Sequence, residues 1–150
     1  MQLRFRRADA TSAQAILALE RRVSLPRIYE ARTSIGEVLK EIVANSFFLI
    51  EDTERIIGSI SFRPLEPTGV YIGNMAVDPA ARRRGTARAA LQFVFDRTRG
   101  ASRWELVTHP DNSAAIMLYT SAGFAAGETL ENYFGDGQPR MRMVRLGAGG

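Results

Sequence analysis

Apolar residues along this chain change their spacing repeatedly, and each change marks a new element. Leu3 and Phe5 alternate with polar neighbours and predict a first strand. Asp9 to Ser12 offer N-caps for a helix whose apolar positions, Ile16, Leu19 and Val23, recur every three to four residues. A polar, proline-containing stretch over 25–33 follows. Ser34-Ile35-Gly36-Glu37 has the form of a capping box opening a second helix, with Ile35, Val38, Leu39 and Ile42 as its stripe. Phe47 to Glu51 and Ile56 to Arg63 read as a hairpin around 52–55, and Pro64 to Gly69 lead into another strand. There Val70 and Ile72 share a face, but the apolar positions then move to Met75 and Val77. A period of two cannot slip by one inside a regular strand, so a β-bulge is expected near Gly73-Asn74.

Beyond Gly85 the period becomes helical, placing Ala87, Ala90, Leu91, Val94, Phe95 and Thr98 on one face. Trp104 to Thr108 reads as a strand and His109-Pro110-Asp111 as a turn. Asn112 caps a short helix with Ala115, Leu118, Tyr119 and Ala122 on its inner face, and Gly123 stops it. Two last strands are expected near 124–130 and 140–146. The order β-α-α-β-β-β-α-β-α-β-β predicts one α/β domain over 1–146 with a mixed, twisted sheet flanked by helices, and Gly147-Ala148-Gly149-Gly150 reads as a frayed tail.

Composition narrows the function. With 150 residues, 45% of them hydrophobic, the chain supports one well-filled core and not two. It contains no cysteine, which removes thiol catalysis, disulfides and cysteine-ligated metal, and its single histidine argues against a histidine metal site. No apolar run is long enough for a membrane span, and the start alternates like a strand rather than a signal peptide, so a cytoplasmic protein without a membrane partner is expected. The net charge of +4 is carried almost wholly by arginine and suits an anionic partner, either nucleic acid or a phosphorylated cofactor. No nucleic-acid-binding motif is present, and the densest basic cluster, Arg82-Arg83-Arg84, coincides with a glycine turn. The cofactor explains the charge better.

That turn carries the chemistry. Asn74 to Pro79, then Arg82-Arg83-Arg84-Gly85-Thr86-Ala87, reads as strand, turn and helix start, where unpaired N–H groups and the helix dipole attract a pyrophosphate. Gly85 lets a ligand approach the backbone, and Ala87 keeps the first helical turn open. The string resembles the R/Q-x-x-G-x-G/A pyrophosphate loop of the GNAT superfamily of acyl-CoA N-acyltransferases, with Ala87 in the last small position. Asn112…Ala115…Leu118-Tyr119…Gly123-Phe124 resembles that superfamily's N-x-x-A-x-x-L-Y-x-x-x-G-F motif, and the element order is also similar. On the residues alone, Tyr119 also reads as a core tyrosine, Asn112 as only an N-cap, and the bulge as a strand irregularity.

The resemblance implies a single-domain GNAT acyl-CoA N-acyltransferase fold that binds acetyl-CoA without metal. Met75, Ala76 and Val77 would contact the pantetheine and acetyl region, and Arg82, Arg83, Arg84, Gly85, Thr86, Ala87 and Arg88 the pyrophosphate. Asn112 would bond the pantetheine arm, and Tyr119 would touch the cofactor and protonate the departing thiolate. Glu131-Asn132-Tyr133-Phe134 is similar to the ribosomal-protein alanine acetyltransferases, whose glutamate base aligns here with Val107. Glu105 and His109 share a strand face with Val107 if the alternation persists, so either could be the base, as could a water chain. The stretch over 25–33, with Tyr29, and the segment 132–139, with Asn132, Tyr133 and Phe134, are expected to wall the acceptor site. Gly137-Gln138-Pro139-Arg140 departs from the acidic residues of the alanine enzymes. The expected function is transfer of acetyl from acetyl-CoA to a primary amine (small amine, amino-acid derivative or protein N-terminus) in a ternary complex. A catalytically degenerate acyl-CoA sensor is the alternative, nucleic acid is not an expected partner, and a homodimer is admitted.

Overall fold

The run Phe47-Phe48-Leu49-Ile50 has no polar position because its strand, β2 (Ser46–Asp52), is covered on both faces. In the computed structural model, which describes residues 2–25, 28, 34–53 and 55–147, β2 lies between β1 (Leu3–Arg7) and β3 (Arg55–Leu65), antiparallel to both. β4 (Gly69–Val77) continues beyond β3, followed by β5 (Arg103–Thr108), β7 (Arg140–Leu146) and β6 (Ala125–Leu130). The order in this seven-stranded sheet is β1-β2-β3-β4-β5-β7-β6, and among the described residues β4 with β5 is its one parallel pair. A parallel neighbour needs a crossover, which α3 (Thr86–Arg97) supplies.

Alternate strand residues feed two layers of helices. Phe48, Ile60, Phe62, Trp104 and Leu106 pack with Leu91, Val94 and Phe95 of α3 and with Tyr119 of α4 (Ser113–Ser121). On the other face Phe47 and Leu49 meet Ile16 and Leu17 of α1 (Ala13–Val23) and Val38 of α2 (Ile35–Ala44). Ile60 is fully buried in the middle of β3. Ile60→Ala should therefore lower the unfolding free energy by about 2–5 kcal/mol, read as a shifted urea midpoint with an unchanged slope.

The predicted bulge is present. Ser61 of β3 faces Asn74 while Phe62 faces Ile72, leaving Gly73 as the extra residue. Val70 and Ile72 before it, and Met75 and Val77 after it, consequently all join the α3 face, whereas Ala76 packs with Leu19 and Val23 of α1. Asp9 and Ser12 do form a reciprocal capping box, but around a single 3₁₀ turn, Ala10–Ser12, that leads into α1. Ser34 caps α2 by accepting from the Glu37 N–H at 3.3 Å. At the far end Gly147, read as the start of a frayed tail, still donates to the Ser102 carbonyl at 2.8 Å. Among the described residues, no helix is long and apolar enough to cross a membrane.

Candidate active site

β4 and β5 pair only at Gly69 with Arg103, Val70 with Trp104 and Tyr71 with Glu105. Past that point the bulge at Gly73 turns β4 aside and the strands splay, so among the described strands none pairs with β4 from Ile72 to Val77 on its β5 side. Unpaired strand groups of this kind suit an extended, amide-bearing ligand. Met75 and Val77 are half-buried here and Ala76 is buried. Beside the bulge, the Ser61 hydroxyl is fully buried and has no hydrogen-bond partner among the described residues. Such a group costs about 1–3 kcal/mol unless a bound polar atom completes it. Nothing in the sequence singled out Ser61, because its state depends on the neighbouring strand.

At the end of β4 the chain makes the anion turn. Arg83 (φ 67°) and Gly85 (φ 78°) both adopt left-handed backbone, and Gly85 is the N-cap of α3. Without a capping side chain, the first N–H groups of α3 carry the helix's positive end outward. A Cβ on Gly85 would find no described atom within 4 Å beyond its own chain neighbours, so the space in front of it is open to a ligand. Arg82, Arg83, Arg84 and Arg88 are exposed around it. Arg84 pairs with Asp52 at 3.4 Å, and Arg88 donates to the Ser121 hydroxyl at 2.7 Å, tying α3 to α4. Ala87 is half-buried, whereas Thr86 is buried with its hydroxyl toward the Ala81 carbonyl at 3.5 Å. The turn is further anchored by Asp78, which accepts from the Ala80 N–H and pairs with Arg22 of α1 at 2.9 Å, a contact between residues 56 apart.

α4 sets the tyrosine. Asn112 caps it, accepting from the Ala115 N–H at 3.3 Å. Its other end is a Schellman stop: Gly123, at φ 98°, donates to Thr120, Phe124 donates to Tyr119, and the Tyr119 and Phe124 rings meet at 5.9 Å. The Leu-Tyr…Gly-Phe string is thus one local device that turns Tyr119 inward. Tyr119 is 8% exposed, burial pushes its hydroxyl up to about 12, and that hydroxyl makes no hydrogen bond to another described residue. Among the described residues, this protonated donor meets no acceptor.

The two side chains read as candidate bases are both engaged. β5 ends at Thr108, so the alternation does not reach His109, which begins the turn instead. That corrects the shared strand face expected for it. His109 is 3% exposed; its Nδ1 accepts from the Asp111 N–H at 3.0 Å, which leaves Nε2–H to donate to Gln138 Oε1 at 3.0 Å. Glu105 is held by Arg103 Nε at 2.7 Å and Arg142 Nη1 at 3.6 Å.

Glu105 nevertheless lines a cavity of about 240 Å³ at the vertex of the splay, with Arg63, Tyr71, Arg103, Tyr133 and Arg142. Burial, and then the Tyr133 hydroxyl beside it, push Tyr71 well above its usual range. Of the expected acceptor wall, Tyr133 does line this cavity. Phe134 is 60% exposed beneath the Arg140 guanidinium, and Asn132 (φ 50°) spends its side-chain oxygen on the Gly137 N–H. Tyr29 lies outside the described residues. The arginines of the cavity escaped the sequence reading because outward charges on alternating strands look like solvated positions.

Comparison with known proteins gives a consistent picture. The family model of the acetyltransferase (GNAT) family matches residues 15–124. UPF0157 protein YqkA of Bacillus subtilis is 34% identical over 133 residues, covering 82% of this chain and 37% of that protein. The [ribosomal protein bS18]-alanine N-acetyltransferase of Salmonella typhimurium is 41% identical over 63 residues, covering 41% of this chain and 43% of that enzyme. The chain therefore spans less than half the length of each of these curated relatives. Ard1 from Thermoplasma volcanium has the same fold, with a TM-score of 0.86 at 21% identity over 98% of this chain and 99% of that one.

Proposed function

The chain belongs to the GNAT acetyltransferase family, and on that premise we propose that it moves the acetyl group of acetyl-CoA to a primary amine by direct transfer in a ternary complex. The observation that carries this reading is Tyr119, a buried, protonated hydroxyl with no acceptor among the described residues, on the helix that follows the splayed strand. An acyl-CoA sensor would have no use for such a donor.

Acetyl-CoA, which the family uses, supplies an activated thioester; its groups fit the residues present. The Gly85 turn and α3 N-terminus would hold the pyrophosphate, with Arg82 and Arg83 adding charge. The open edge of β4 from Gly73 to Val77 would bond the pantetheine amides and orient the acetyl carbonyl. Asn112 would bond the pantetheine arm through its side-chain amide N–H, its oxygen being already spent on the cap. Tyr119 donates its proton to the departing thiolate. The attacking amine must lose a proton, and with Glu105 paired and His109 bonded at both nitrogens, water in the cavity carries it to solvent. The absence of cysteine removes the commonest acyl-accepting nucleophile, which favours direct transfer.

The Salmonella relative is named for an alanine of bS18. Because Val107 takes the place of the base and 137–140 lack acidic residues, a small amine or amino-acid derivative is the broader acceptor class for this chain. Mass spectrometry with acetyl-CoA and a pooled amine and peptide library should reveal an acetylated amine, and initial-rate lines should intersect. Parallel lines with an acetylated protein would reject direct transfer. At about 100 times its dissociation constant, acetyl-CoA should stabilise the fold by about 2.7 kcal/mol, raising the melting temperature by about 5–10 °C.

A further inference from the structure

We propose that the acceptor amine also carries a carboxylate, and that Arg63 binds it; this rests on the transfer reading above. Arg63, Tyr71 and Glu105 lie in one row across β3, β4 and β5, at the last paired position before the strands splay. All three face the cavity. Its charged groups are unequal in number. Arg103 and Arg142 share the Glu105 carboxylate, and Arg142 also reaches Glu128 at the rim, at 3.4 Å.

Arg63 is left over. Its guanidinium lies over the Tyr71 ring at 4.6 Å, and it makes no ion pair or hydrogen bond with a described residue. Stacking holds the planar group in place while its N–H edge stays available, the arrangement that suits two-point recognition of a carboxylate. A simple ammonium entering this cavity meets three arginines and one already-paired carboxylate, and is repelled. An amine that brings its own anion is not. The acceptor class is therefore an amino acid or a close derivative, with its amine toward the splay and its carboxylate on Arg63.

Matched pairs that differ by the carboxylate test this: ornithine with putrescine, lysine with cadaverine, tyrosine with tyramine. Transfer rates should be measured together with calorimetric binding to the protein–CoA complex, so that recognition is read without turnover. At least one amino acid should exceed its decarboxylated partner in kcat/KM by about tenfold or more. Arg63→Gln should raise KM for that amino acid by a similar factor with little change in kcat, leave use of the decarboxylated partner equal or better because one repelling charge is gone, and be partly rescued in Arg63→Lys. Equal or better use of the decarboxylated member in every pair, an unchanged ratio in Arg63→Gln, no binding of any amino acid, or preference for O-phosphoethanolamine over all of them would each overturn it. Carboxylate binding that depends on Arg63 without any acetyl transfer would instead support the inference and sink the transfer reading.

Discussion

Tyr119→Phe should lower turnover by about 10²–10⁴-fold while leaving folding and acetyl-CoA affinity nearly unchanged. Phenylalanine keeps the ring that packs on Phe124 and the Schellman stop around it. The lost hydroxyl has no hydrogen bond to another described residue, so its removal orphans no group among them. The same burial fixes the pH dependence. A general acid must be protonated, and with the hydroxyl pushed up to about 12 the acid form persists well above pH 10. The kcat profile should therefore rise with pH as the acceptor ammonium deprotonates and show no descending limb before about pH 11. A stably folded Phe variant with full activity, or a downturn near pH 9 in the wild type, would leave Tyr119 a core residue only.

Gly85→Val should abolish acetyl-CoA binding, weakening it by about 100-fold or more. Gly85 has φ 78°, a conformation that costs a β-branched residue about 1–2 kcal/mol or more, small beside the several kcal/mol of a typical fold. Beyond its own chain neighbours no described atom lies within 4 Å of the added Cβ, so the valine would stand in the open space in front of the α3 N–H groups, where an anion must come. Gly85→Ala, with the same backbone demand and less bulk, should fall between the two. Arg82→Ala should weaken binding only modestly and in a salt-dependent way, because charge assists a geometry that the backbone provides. Calorimetry on the folded Val variant checks this; unimpaired binding would move the phosphate site elsewhere.

What the sequence made legible was local. A one-residue slip from Ile72 to Met75 is enough to place a bulge, since strand side chains alternate strictly. Asn112 three residues before Ala115, and Gly123-Phe124 after Tyr119, are both devices closed within a single helix, so spacing alone placed the tyrosine. The turn at Gly85 was legible for the same reason. The cavity was not, because Arg63, Tyr71, Glu105, Tyr133 and Arg142 come from four strands and a loop, and their meeting depends on register. His109 shows the same limit: its second nitrogen is occupied by Gln138, 29 residues away, and the strand ends one residue before it. Asp78 with Arg22, and Ser61 without a partner among the described residues, likewise became visible only once strands and helices were in place.

Acetyl-CoA is expected to lie along the open edge of β4 with its pyrophosphate on the Gly85 turn. An NMR titration of the protein with acetyl-CoA, following backbone amides, tests it most directly. Saturable shifts concentrated at 73–77 and 85–88, lost in Gly85→Val, are the expected result; saturable binding that leaves those amides unmoved, or no binding at millimolar cofactor, would contradict it.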